Sequence, residues 1–238
     1  MSSRNVLVED PHAFPRRAAE WLAETMTGVL AARRQCAIAL SGGRTPGPVY
    51  GALAASDLSR RIDWSRVDVF FADERAVPPD DAESNYRLLQ ETLLTRVGVP
   101  KPQVHRMQGE SPDLDAAAAV YARELPATLD VLVLGMGADG HTASLFPGSP
   151  AILERRRHVM AVESPKPPHR RITITPPVIA AARHVVVLVT GRDKASAVAR
   201  VFDGDAVPTV VPAVLARPPR GVWFLDSAAA ALLPRPVA

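Results

Sequence analysis

The sequence predicts an α/β protein built on a mostly parallel β-sheet with helices on both faces. Three observations predict it. Short apolar, β-branched runs alternate with Ala-, Leu- and Arg-rich segments of helical pattern. Several of those runs are nearly continuous in hydrophobicity, as strands covered on both faces tend to be. Prolines gather at the joints, at 78–79, 165–168, 176–177 and 218–219, where they punctuate elements instead of interrupting them.

In chain order, a helix over 14–33 leads into a strand over 36–40 (CAIAL), and a helix over 46–54 follows, opened by Pro46 in its first turn. A strand over 67–72 (VDVFFA) ends in a charged loop, and Ser84 is placed to cap a helix over 84–97. The alanine run 116–119 supports a helix over 113–125, before a strand over 130–134 (DVLVL). Strands are expected at 159–163 (VMAVE), 171–175 (RITIT), 184–190 (HVVVLVT) and 221–225 (GVWFL). Helices are expected at 177–182, 193–202 and 227–233. No polar linker divides these elements and no internal repeat occurs, so one domain over 1–238 is expected.

Composition narrows the function. With 47% hydrophobic and 22% charged residues among 238, the chain can bury a sizeable core. Cys36 is the only cysteine, which excludes an internal disulfide and any Cys-rich metal module. The six histidines include no pair spaced as in H-E-x-x-H, so no metal ligand set is expected. The longest apolar runs, such as 185–189, fall far short of the roughly 20 residues of a membrane span. Acidic residues near the start stand where a signal peptide has its apolar stretch, so a cytoplasmic protein is expected. The net charge of +3 does not come with aromatic residues interleaved among the arginines, which argues against a nucleic-acid partner. The dense run ERRRH at 154–158 reads as a solvated helix end or turn.

Ligands of open α/β sheets bind beyond the carboxyl ends of the strands, so the loops there carry the functional reading. Ser41-Gly42-Gly43-Arg44-Thr45-Pro46 combines a flexible backbone, hydroxyls, a cation and a helix start, a pattern suited to phosphate; an ordinary capped turn is the plainer alternative. It is neither a P-loop nor a dinucleotide loop. Asp73-Glu74-Arg75 ends the second strand, where two carboxylates could fix Arg75 toward a ligand or simply form a solvated cluster. Gly135-Met136-Gly137-Ala138-Asp139-Gly140-His141 presents a histidine beside a carboxylate that can fix its tautomer, the makings of a general base. Lys166, His169, Arg170, Arg171, Arg192 and Lys194 could complete a phosphate clamp, although any one of them alone reads as surface charge.

Five blocks together, SGGRTP (41–46), FFADERAVPPDDAESNY (70–86), VLGMGADGHTASLFPG (133–148), PKPPHRRITIT (165–175) and TGRDKA (190–195), resemble the 6-phosphogluconolactonase family, relatives of the glucosamine-6-phosphate deaminases. The resemblance runs in order over nearly the whole chain. It implies a three-layer Rossmann-like fold and hydrolysis of a small sugar-phosphate lactone, 6-phospho-D-glucono-1,5-lactone, with no cofactor. By motif it implies His141 as the base, Asp139 as its orienting carboxylate and Arg75 near the lactone carbonyl or product carboxylate. Gly42, Gly43, Arg44, Thr45, Arg171 and Lys194 would hold the phosphate, with Asp73 and Glu74 in support. The family commonly has an acidic residue before the arginine of RIT, whereas this chain has Arg170, which leaves Arg170 or Arg171 as the phosphate ligand. The deaminase relatives carry a glutamate seven positions after the aspartate of DGH; Phe146 stands there instead.

Overall fold

The computed structural model describes residues 5–217 and 219–234. The ends of the expected domain and Pro218 of the 218–219 joint lie outside the described residues.

Strand β1 (Val6–Glu9) and helix α1 (Phe14–Ala32) open the chain, followed by β2 (Cys36–Leu40), α2 (Pro46–Leu53) and the single turn α3 (Ser56–Ser59). Then come β3 (Val67–Phe71), β4 (Asp73–Arg75), α4 (Asn85–Leu89), a π-helical turn over Gln90–Leu94, and α5 (Thr95–Val97). The second half contains α6 (Leu114–Glu124), β5 (Val131–Gly135), β6 (Val159–Glu163), β7 (Arg170–Ile174), α7 (Pro176–Ala181), β8 (His184–Val189), α8 (Ala195–Phe202) and β9 (Gly221–Asp226).

Six strands form one sheet in the order β1-β9-β8-β5-β2-β3, all parallel. Val131, Leu132, Val133 and Leu134 are all buried, so both faces of β5 are covered, as a parallel sheet flanked by helices requires. Helix α1 supplies part of that cover through Phe14, Ala18, Leu22, Met26 and Val29, spaced three or four residues apart along one face. After β2 the chain steps outward to β3, and its next strand in this sheet, β5, lies on the other side of β2. That reversal leaves a crevice above the carboxyl ends of β2 and β5, the place where such sheets bind ligands.

The expected α/β class is observed, with one structural correction. Strands β6 and β7 do not join the parallel sheet; with β4 they form a separate antiparallel sheet in the order β4-β7-β6. Residues 73–75 were expected to be loop because Asp, Glu and Arg are poor strand formers. They are extended because β7 supplies the ladder. Two more expectations fail locally. The segment 227–233 makes turns instead of a helix: it is too short to offset helix nucleation, Asp226 takes the Ala229 N–H at 2.7 Å, and Pro234 follows. Helix 193–202 is preceded by a tight 3-10 turn, Arg192–Lys194, and becomes α-helical only at Ala195. The 154–158 run is a turn, with the Glu154 carboxylate accepting the N–H groups of Arg155, Arg156 and Arg157.

Candidate active site

A cavity of about 970 Å³ opens above the crevice. Its walls come from the loops after β2, β5 and β8 and from β4 and β7 of the small sheet.

The loop after β5 places His141 on the wall and Asp139 behind it. Asp139 Oδ1 accepts the His141 Nδ1–H at 2.6 Å and the His141 backbone N–H at 3.2 Å. Burial alone would raise the Asp139 carboxyl, but the hydrogen bonds and charge of His141, with the Lys166 ammonium 3.8 Å away, outweigh it and hold the group well below the usual carboxylate range. An ionised Asp139 on Nδ1 leaves Nε2 as the ring nitrogen with a free lone pair, the orientation a general base needs. The approach is close because residue 137 is glycine: a Cβ there would sit 2.1 Å from His141 Nδ1 and 2.5 Å from Asp139 Oδ1. Ala143, on the same loop, lies on the cavity wall and is the one non-glycine residue with positive φ (47°) among the described residues, a strained conformation of the kind kept at working sites.

The loop after β2 brings Ser41, Gly42, Gly43, Arg44 and Thr45 to the wall, ending at the start of α2. Backbone N–H groups and a helix N-terminus there favour an anion. The buried Tyr50 hydroxyl fixes the loop by donating to the Ser41 carbonyl at 2.7 Å, and Thr45 bonds Thr190 of the β8 loop, Oγ to Oγ at 2.7 Å. The β8 loop is anchored in turn by Asp226, whose carboxylate oxygens accept the Gly191 N–H at 3.0 and 3.1 Å. Lys194 reaches the cavity in an ion pair with Asp193.

The small sheet contributes two cations. Arg75 and Arg171 stand directly opposite each other on β4 and β7, both lining the cavity. Like charges facing across a ladder destabilise a sheet, so this pair argues for an anion between or above them. Burial pulls the Arg171 pKa down, Asp73 pushes it back up, and Arg75 opposes its charge again. Arg170, its neighbour, points to the opposite face of β7, is exposed, and lies 3.9 Å from Glu163. Of the two candidates, only Arg171 reaches the cavity.

Asp73 and Glu74 take different places from those expected. Asp73 lines the cavity, accepting the Ser144 hydroxyl at 2.6 Å and the Asn85 amide N–H at 3.1 Å. Glu74 does not line the cavity or touch the Arg75 guanidinium; its carboxylate takes the backbone N–H groups of Arg75, Asn85 and Tyr86 and the Ser84 hydroxyl, and so caps α4. Burial pushes that carboxyl up, partly offset by the three N–H donors. The guanidinium of Arg75 is held by the Glu83 carbonyl.

Three buried side-chain atoms lack a partner among the described residues: Ser41 Oγ, Arg75 Nε and Asn85 Oδ1. All three residues line this cavity. Buried polar groups are otherwise nearly always satisfied, so their concentration here marks a binding site.

A family model described as glucosamine-6-phosphate isomerases/6-phosphogluconolactonase matches residues 9–225. The chain belongs to that family. A 6-phosphogluconolactonase of Streptomyces coelicolor is 41% identical over 97% of this chain and 94% of its own length. One of Mycobacterium tuberculosis is 42% identical over 98% of this chain and the whole of its own. The solved structure of a 6-phosphogluconolactonase from Shewanella baltica matches with a TM-score of 0.83 at 30% identity, covering 95% of this chain and 99% of that one. The fold is accordingly the Rossmann-like fold of the family.

Within the family's frame, one residue of the cavity wall, Asn85, and two residues behind the wall, Ser144 and Asp226, carried no functional signal in the sequence. Asn85 is half of a close contact with Gly42, whose Cβ would fall 1.8 Å from Asn85 Oδ1; a glycine stands there for space. Ser144 and Asp226 act through hydrogen bonds to residues distant in sequence, which spacing does not reveal. No helix among the described residues is long and apolar enough to cross a membrane.

Proposed function

We propose that the protein hydrolyses 6-phospho-D-glucono-1,5-lactone to 6-phospho-D-gluconate, in the cytoplasmic oxidative branch of the pentose phosphate pathway, by general-base activation of water and without a cofactor. The observation that carries this reading is a tautomer-fixed imidazole sharing one cavity with two facing arginines and a glycine loop at a helix start. Names of the relatives that match nearly end to end support the same substrate.

In the reading, the phosphate rests on Gly42, Gly43, Arg44 and Thr45, with Arg171 and Lys194 as its cations. His141 Nε2 takes a proton from water while the hydroxide adds to the lactone carbonyl carbon. Asp139 stabilises the imidazolium that forms. Arg75 compensates the oxyanion until the ring C–O bond breaks and His141 returns the proton to the leaving oxygen. Positioned general-base catalysis supplies about 10²–10⁴-fold, and one oxyanion donor about 10²–10³-fold. A lactone carbonyl is electrophilic already, so these two contributions suffice without a covalent nucleophile. Remote phosphate binding orients the carbonyl.

The competing deaminase reaction needs a carboxylate where this chain has the buried Phe146. The experiment compares the two reactions on one preparation: lactone loss above the spontaneous rate, and ammonia release from glucosamine 6-phosphate. Lactone hydrolysis without ammonia is expected; ammonia release would overturn the assignment.

A further inference from the structure

Phe146 touches both the candidate base and a candidate phosphate cation. Its ring centroid lies 4.6 Å from that of His141, with the planes tilted by 40°. The Arg171 guanidinium carbon lies 5.5 Å from the same centroid, within cation–π range. The ring is 3% exposed and Arg171 7%, so the contact is desolvated, where a cation–π interaction is strongest. Arg171 needs such support. Its hydrogen bond among the described residues is a single one, from Nε to the Pro168 carbonyl at 3.1 Å, and the opposing Arg75 works against it. The backbone of Phe146 is itself fixed, its carbonyl accepting the Ser149 N–H at 2.9 Å.

We propose that Phe146 is a positioning residue: one buried ring sets the Arg171 guanidinium and the His141 imidazole relative to each other, so that the anion subsite and the base share a common support. The inference deepens the function proposed above and rests on it for the role of His141. The hold on Arg171 is a matter of binding alone.

The test replaces Phe146 by 4-fluoro-, 3,5-difluoro- and 3,4,5-trifluorophenylalanine, which keep the ring's shape while draining its negative face, and adds Phe146→Leu as an aliphatic comparison. Affinity for inorganic phosphate and for 6-phosphogluconate is measured by calorimetry, kcat on the lactone in parallel, and Tm as the control for folding. Phosphate affinity should fall stepwise along the series, by about two- to tenfold in all, and the trend should vanish in an Arg171→Met background. Phe146→Leu should lower kcat as well as affinity. A merely structural ring would move Tm and leave the fluorine series flat. A flat series in an active protein overturns the inference. Stepwise weakening of phosphate binding in a protein without lactonase activity sustains the hold on Arg171 and overturns the proposed reaction instead.

Discussion

Replacing Gly137 by alanine should sharply lower activity while sparing the fold. The added methyl would stand 2.1 Å from His141 Nδ1, 2.2 Å from Cε1 and 2.5 Å from Asp139 Oδ1. Ordinary contact begins near 3.4 Å, so the imidazole must retreat by more than about 1 Å, and a displacement of that size at a reacting group costs about 10²-fold in rate. The backbone has no reason to resist. Gly137 is outside the left-handed region, and the obstructing atoms belong to two movable side chains. Losing a glycine also restricts the unfolded chain, which offsets part of any strain. The assay is base uptake in a pH-stat on freshly prepared lactone, with the spontaneous rate subtracted, beside a thermal melt. A kcat lower by about 10²-fold, with Tm within about 3 °C of the parent, is expected. Undiminished kcat in folded Gly137→Ala would refute the claim that the Asp139–His141 geometry is the reactive one.

Four other outcomes follow from the structure. Lys194→Ala should weaken 6-phosphogluconate binding by about 1.5–3 kcal/mol, the scale of a charge-assisted hydrogen bond, whereas Asp193→Asn, which releases Lys194 from its ion pair, should tighten it by up to about fivefold; calorimetry at low salt reads both. Asp139 has its folded pKa depressed, so its stabilising contribution is present above the unfolded value and lost as pH falls through the folded one. The stability difference between the parent and Asp139→Asn should therefore be level from neutral pH to about pH 4 and shrink below it, as followed by urea unfolding at stepped pH. Glu74→Gln places an amide where a carboxylate oxygen accepts the Tyr86 N–H, and should cost about 1–3 kcal/mol in the same unfolding assay; an unchanged midpoint would remove the capping role.

Much of the fold was legible because the strands of a covered parallel sheet are written as short apolar runs. CAIAL and VMAVE are observed with the expected bounds, VDVFF and HVVVLV each end one residue early, and the strand expected at 130–134 slides by one residue to 131–135. Two strands of the small sheet, β6 and β7, were legible in the same way, but its third strand and its separate pairing were not: Asp73-Glu74-Arg75 has no strand propensity of its own and becomes extended only against β7. The same pairing sets Arg75 opposite Arg171 and turns Arg171, not Arg170, to the cavity. His141 and Asp139 were readable because they are two residues apart and bond each other directly. The supports of the site were not. Asp226 holds Gly191 from 35 residues away, Ser144 reaches Asp73 across 71, and the need for glycine at 137 comes from side chains that only the folded loop brings against it.

The proposed reaction requires that His141, fixed by Asp139, activate water against a phosphorylated lactone. The most direct measurement is the rate of 6-phospho-D-glucono-1,5-lactone loss in buffer, with the parent protein, and with His141→Asn. The parent should far exceed the spontaneous rate, and His141→Asn should lower kcat by about 10²–10⁴-fold while binding 6-phosphogluconate nearly as well as the parent. A parent no faster than buffer, or a folded His141→Asn with the parent's kcat, would contradict it.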